Sequence, residues 1–159
     1  MTDVCIKRIA PGDDPHVEVR RILRKMLRMR GYDDDLSKII ISEKGKPRFA
    51  GGSPFFNFSD SGDHVACALS DVEVGVDIEQ IRDISDKLCD RFLGGVRGGA
   101  KERTAAWTRY ESLGKCEGCG IPHQLDPSDF VLTEYLTGEY SLCVCTKSEQ
   151  CDRLIVITD

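Results

Sequence analysis

The chain has 159 residues, 40% hydrophobic and 31% charged, with 22 basic against 27 acidic side chains and a net charge of −5. That balance suits one soluble globular domain, or two small halves packed as a unit. No apolar run approaches the roughly 18 residues of a spanning helix, and the acidic balance argues against bulk nucleic-acid binding.

The first residues, Met1 to Arg8, carry no apolar signal stretch, so a cytoplasmic location and mostly reduced cysteines are expected. Val4 to Ala10 reads as a short edge strand. Pro11 to Pro15 is a loop, with Asp13 or Asp14 available at a helix start. Val17 to Arg30 is an amphipathic helix: Val19, Ile22, Leu23, Met26 and Leu27 recur at three-and-four spacing, and Arg20, Arg21, Arg24, Lys25 and Arg28 fill the remainder. Gly31 ends it. Ile39 to Ser42 is a strand, and Lys44 to Pro54 a loop rich in Gly and Pro.

Phe55 to Phe58 starts an extended segment, followed by the turn Ser59-Asp60-Ser61-Gly62-Asp63. His64 to Ser70 and Val72 to Ile78 read as a hairpin joined near Ser70-Asp71. Ser85 to Leu93 is helical, Gly94 to Gly99 a glycine-rich connector, and Ala100 to Lys115 a helix. Phe130 to Thr133, Glu139 to Thr146 and Leu154 to Ile157 are strands, with a turn near Thr137-Gly138. Helices mixed with antiparallel hairpins mean an α+β fold.

Two segments hold the chemistry. In Gly75-Val76-Asp77-Ile78-Glu79, two carboxylates lie two residues apart, which on a strand puts both on one face. Glu111 and Lys115 lie four apart, which on a helix does the same. Together, three carboxylates and an ammonium could bind a divalent cation and a phosphorylated substrate. Taken singly, Asp77 and Glu79 are ordinary strand-end acids, and Glu111–Lys115 is a helix pair worth a few tenths of a kcal/mol.

Eight cysteines leave a second reading open. Cys116 and Cys119 have knuckle spacing, and Cys143 and Cys145 could complete a four-thiolate zinc site, giving a zinc-stabilised interaction module. The plainer alternative is free thiols. His16 and His123 lack ligand spacing to another histidine and read as surface residues.

Gly45-Lys46-Pro47, then Phe56-Asn57-Phe58-Ser59-Asp60-Ser61-Gly62, then Val74 to Glu79, then Trp107-Thr108-x-x-Glu111-Ser112-x-x-Lys115 stand in the order and spacing of the 4′-phosphopantetheinyl transferases. The chain resembles the surfactin-synthetase-activating type, from about Gly45 to Cys145. The resemblance implies a 4′-phosphopantetheinyl transferase-like fold with two pseudo-twofold-related halves, 1–71 (shortened) and 72–159, and a cleft between them. It implies Mg²⁺-dependent transfer (Mn²⁺ being an alternative metal) of the phosphopantetheine arm of coenzyme A onto a serine of an acyl or peptidyl carrier protein. Adenosine 3′,5′-bisphosphate is the by-product.

By the same resemblance, Asp77, Glu79 and Glu111 hold the metal. Glu111, or a metal-bound water beside it, takes the serine proton, and Lys115 faces the pyrophosphate. Arg20, Lys46, Pro47, Ser59, Asp60 and Lys115 would contact coenzyme A. Arg20 also reads as part of a solvated basic stripe that could steer an acidic carrier. Trp107 reads as an anchor for the helix of Glu111.

Three departures stand out: Asp60 where the family usually has histidine, Tyr110 where it usually has lysine, and a short region before Gly45. They motivate an alternative, a degenerate homologue that binds coenzyme A or a carrier without turnover. The expected partners are coenzyme A and a carrier protein, with no nucleic acid and no membrane. Monomer and homo-oligomer both stay open.

Overall fold

A computed structural model describes residues 1–119 and 126–157. Its elements are β1 (Thr2–Arg8), α1 (Pro15–Met29), β2 (Ile39–Ile41), β3 (Pro47–Phe49), β4 (Phe55–Ser61), β5 (His64–Ser70), β6 (Val74–Gln80), α2 (Asp86–Phe92), α3 (Ala100–Glu117), β7 (Val131–Leu136), β8 (Tyr140–Thr146) and β9 (Arg153–Ile157). The mixture is α+β, as expected. One sheet runs β4-β5-β1-β9, a second runs β6-β8-β7, and β2 with β3 makes a separate hairpin.

The stacking follows from side-chain periodicity. Asp14 caps α1, its side chain accepting the His16 N–H at 2.9 Å. The predicted apolar stripe Val19, Ile22, Leu23, Met26 and Leu27 packs on Cys5, Val65, Cys67, Leu69 and Phe56. Leu23 and Leu27 are fully buried, each contributing roughly 1.5–3 kcal/mol of transfer free energy. Alternate residues of the same strands, Val4, Ile6, Ala66 and Ala68, face the other way. They meet Val74, Val76, Ile78, Leu142 and Val144 of the second sheet. Helix α3 covers the far side of that sheet through Leu113 and Cys116 against Cys145. The layers are therefore α1, first sheet, second sheet, α3.

Helix α3 lacks a strong apolar stripe because its inner face is built from small residues. Thr104, Thr108, Ser112 and Gly114 are buried there, and Thr108 and Ser141 share a hydroxyl–hydroxyl hydrogen bond of 2.9 Å. The closest approach is at Gly75 on β6. A Cβ there would overlap the Ser112 carbonyl oxygen and the Cys116 amide nitrogen of α3.

The structure corrects four sequence expectations. β1 is not an edge strand: β5 pairs with it antiparallel and β9 parallel. The segment 44–54 is not all loop, since β3 pairs with β2. Residues Ser59 to Ser61 continue β4 in register with β5, and the turn is confined to Gly62-Asp63, where Gly62 takes φ +60°. β5 and β6 do not form a hairpin. β5 pairs with β4 and β1, while β6 pairs with β8 in the other sheet. For β1 and β6 the deciding partners, β9 and β8, are distant in sequence, whereas β3 and the end of β4 pair with neighbouring strands. Among the described residues, no helix is long and apolar enough to cross a membrane.

Candidate active site

The site forms where β4, the edge of the first sheet, lies beside β6, the edge of the second. Asn57, Ser59 and Ser61 point from β4 at β6. Their oxygens accept the backbone N–H groups of Val76 (2.9 Å), Ile78 (3.1 Å) and Gln80 (3.1 Å). These side chains replace a backbone ladder and join the sheets. On β6, Val76 and Ile78 go into the core, so Asp77 and Glu79 emerge together on the opposite face, as the spacing predicts.

Asp77 is 4% exposed. Its Oδ1 accepts from Ser59 Oγ at 2.9 Å and from Lys115 Nζ at 2.6 Å, and Lys115 Nζ also donates to Ser59 Oγ at 3.0 Å. Its Oδ2 is buried with no hydrogen-bond partner among the described residues. Burial pushes the Asp77 carboxyl up to about 6; Lys115 and Ser59 pull it back and Glu79 adds to the rise. Glu79 Oε2 accepts from Ser61 Oγ at 2.9 Å and lies 3.3 Å from Arg82 Nε.

Glu111 sits one turn before Lys115 on α3. Burial lifts its carboxyl above the ordinary value, Lys115 lowers it, and the Glu79 charge raises it further. Trp107 and Tyr110 pack with Phe92 beside it, at centroid distances of 6.4 Å and 5.7 Å to that ring. The Tyr110 hydroxyl is buried without a hydrogen-bond partner among the described residues.

A cavity of about 220 Å³ opens over these groups, lined by Lys46, Pro47, Asn57, Glu111, Lys115 and Gly118 among others. Lys46 is bound inward, its Nζ 2.7 Å from Glu73 Oε2 and 2.9 Å from the Cys116 carbonyl. Pro47 and Phe58 also line a larger cavity of about 570 Å³, whose far wall carries His16, Arg20 and Arg24 of α1. The two cavities adjoin across Pro47 and Phe58.

Lys46, Pro47, Glu111 and Lys115 line the smaller cavity, Ser59 and Asp77 join them through Lys115, the Glu79 charge acts on both Asp77 and Glu111, and Arg20 is exposed at the neighbouring cavity. Asp60 stands apart. It is exposed and shares the β4 face of Phe56 and Phe58, opposite Ser59. Sequence reasoning missed Asn57, Ser61 and Arg82. The signal for the first two was available, since Asn57, Ser59 and Ser61 alternate at strand period, but Ser59 to Asp63 also reads as a turn.

Among the described residues, no three His, Cys, Asp or Glu side chains converge as a metal cluster. Lys115 lies against Asp77, while Ser61 and Arg82 hold Glu79. The donor chemistry nevertheless suits a hard divalent cation: the oxygens are carboxylate, and one buried Asp77 oxygen lacks any compensating donor. Of the knuckle cysteines, Cys116 is buried against Cys145 while Cys119 is exposed; Cys143 is buried on β8, and the thiols are free. His16 is exposed, and His123 lies outside the described residues.

No family model matches the chain. Among curated proteins it is similar to the 4′-phosphopantetheinyl transferase AcpT of Salmonella typhimurium, 53% identical over 131 residues, covering 70% of this chain and 68% of that protein. AcpT of Salmonella typhi is 36% identical over the same coverage, 70% and 68%. The 4′-phosphopantetheinyl transferase Sfp of Bacillus subtilis is 32% identical over 118 residues, covering 66% of this chain and 53% of that protein.

Proposed function

The chain belongs to the 4′-phosphopantetheinyl transferase family, and from that premise we propose that it transfers the 4′-phosphopantetheine arm of coenzyme A to a serine of an acyl or peptidyl carrier protein. The observation that carries this reading is the Ser59–Asp77–Lys115 cluster, with its unpaired Asp77 Oδ2, at the wall of a cleft that also receives Glu111 and Lys46.

In this reading the chain divides into halves 1–71 and 72–159, related by a pseudo-twofold, and β9 ties the second half to the first. Asp77, Glu79 and Glu111 hold a Mg²⁺ or Mn²⁺ ion, which when bound neutralises charge on the coenzyme A pyrophosphate. Lys115 turns its ammonium from Asp77 toward the pyrophosphate and stabilises the leaving group. The raised basicity that burial confers on Glu111 suits it to accept the proton of the carrier serine. The serine oxygen bonds to the phosphorus bearing the pantetheine arm. The pyrophosphate bond breaks, and adenosine 3′,5′-bisphosphate leaves. Lys46 and Pro47 bind the nucleotide side, with Arg20 at the adjoining cavity and Ser59 on β4; the contact with coenzyme A that the resemblance gives Asp60 is not part of this reading, because Asp60 lies on the other face of β4. A cytoplasmic setting is part of this reading.

The alternative, a homologue that binds coenzyme A without turnover, draws on the pairing of Lys115 with Asp77 and of Arg82 with Glu79. Incubation with coenzyme A, Mg²⁺ and a panel of apo carrier proteins, read by intact mass, separates the two. One carrier gaining the arm supports transfer. Coenzyme A binding with no carrier modified supports the silent binder.

Because Asp60 lies on the opposite face of β4 from Ser59, its charge is turned away from the Asp77–Lys115 cluster. Asp60→His therefore leaves the coenzyme A dissociation constant unchanged or lowers it, as titration calorimetry would report. Loss of binding would give Asp60 a role of its own.

A further inference from the structure

The β4–β6 seam repeats one device twice. Ser59 Oγ accepts the Ile78 N–H at 3.1 Å and donates to Asp77 at 2.9 Å. Two residues on, Ser61 Oγ accepts the Gln80 N–H at 3.1 Å and donates to Glu79 Oε2 at 2.9 Å. Each hydroxyl holds the backbone of one β6 residue and the carboxylate of the residue before it. The third member, Asn57, accepts the Val76 N–H at 2.9 Å and has no acid to hold, because the preceding residue is Gly75.

We propose that Ser61 is a positioning residue for Glu79: its hydroxyl sets the end of the β4–β6 register and aims the Glu79 carboxylate at the site. The proposal rests on the reading of Asp77, Glu79 and Glu111 as a cation site. A half-buried glutamate near a strand end, as Glu79 is at 19% exposure, still has several rotamers open to it. The Ser61 hydroxyl, fixed by the Gln80 N–H it accepts, selects one of them. Arg82 alone does not replace it. Arg82 Nε and Nη2 lie 3.3 Å and 3.4 Å from the carboxylate, at the long end of hydrogen-bond range, and the Arg82 side chain is 46% exposed. Partners that orient a metal-binding carboxylate typically change affinity about 10- to 100-fold when removed.

The test uses the full chain, wild type, Ser61→Ala and Ser61→Thr, with two readouts. Amide exchange at Gln80, measured by NMR without metal, reports the register. Titration calorimetry with Mg²⁺ alone reports the acids. Ser61→Ala is expected to speed Gln80 exchange and to weaken Mg²⁺ binding about tenfold. Ser61→Thr, which keeps the hydroxyl, stays close to wild type in both. Faster Gln80 exchange with wild-type Mg²⁺ affinity would reduce Ser61 to a strand contact and overturn the proposal. Absence of Mg²⁺ binding by the wild-type chain would instead overturn the cation site, and the role of Ser61 with it.

Discussion

Asp77→Asn lowers phosphopantetheine transfer roughly 100- to 1000-fold and does not weaken the metal-free fold at neutral pH. The argument starts from burial. Asp77 is 4% exposed, Oδ2 has no hydrogen-bond partner among the described residues, and its carboxyl is pushed up to about 6. In the unfolded chain the same group titrates near the ordinary 3.8. A raised folded value means that the folded protein binds this proton more tightly than the unfolded one. The contribution is therefore favourable as pH falls through 6 toward 4 and is lost as pH rises through 6. The difference corresponds to about 3 kcal/mol, at 1.36 kcal/mol per pKa unit.

Other acids act in the opposite direction. Asp71 and Glu18, for example, are held below their ordinary values by hydrogen bonds to the chain's amino terminus and to Lys7. Only the difference between wild type and Asp77→Asn isolates Asp77. Urea unfolding of both without metal, from pH 4.5 to 8, is expected to show the variant gaining on wild type as pH rises. The asparagine carbonyl can still accept from Ser59, and Lys115, 29% exposed, can find water. A variant steadily less stable than wild type above pH 6 would mean that the Lys115–Asp77 ion pair outweighs the burial cost.

Gly75→Ala is the most damaging single change to the fold. The added Cβ would overlap the Ser112 carbonyl oxygen and the Cys116 amide nitrogen and lie 2.9 Å from Cys116 Cα. These are backbone atoms in the last two turns of α3, and no rotamer change clears them. The helix must move off β6, carrying Glu111 and Lys115 with it. A loss of about 3 kcal/mol is expected, or roughly 6–12 °C in Tm at the 2–4 °C per kcal/mol typical of this size. Gly138→Ala is the control, since among the described residues nothing lies within 4 Å of its Cβ position. Equal melting temperatures for the two variants would contradict the close α3–β6 contact.

Local patterns carried the elements but not their partners. The three-and-four spacing from Val19 to Leu27 marked α1 and its buried face, and Ser85 marked the start of α2, where it accepts the Leu88 N–H. Strand pairing was less legible. His64 to Ser70 and Val74 to Gln80 are adjacent in sequence, yet the deciding partners of β6 and β1 are β8 and β9, far along the chain. Ser59 and Ser61 looked like turn residues because short hydroxyl side chains favour turns. Here the same hydroxyls accept β6 amides instead. At the site, the two-residue spacing correctly put Asp77 and Glu79 on one face. The direct Lys115–Asp77 contact was not visible, because spacing along α3 and β6 does not say how far apart the elements lie. Asp60 is the converse: the motif around it was clear, but its side of β4 follows only from strand period.

The central claim is that this cleft moves a phosphopantetheine arm and that Asp77 is needed to do it. The most direct measurement is the intact mass of one responsive apo carrier after incubation with coenzyme A and wild-type or Asp77→Asn protein, each with Mg²⁺ and with a chelator. The account predicts a mass gain with wild type and Mg²⁺, a gain slowed roughly 100- to 1000-fold with Asp77→Asn, and none with the chelator. Gain with Asp77→Asn at the wild-type rate, or gain undiminished by the chelator, would contradict it.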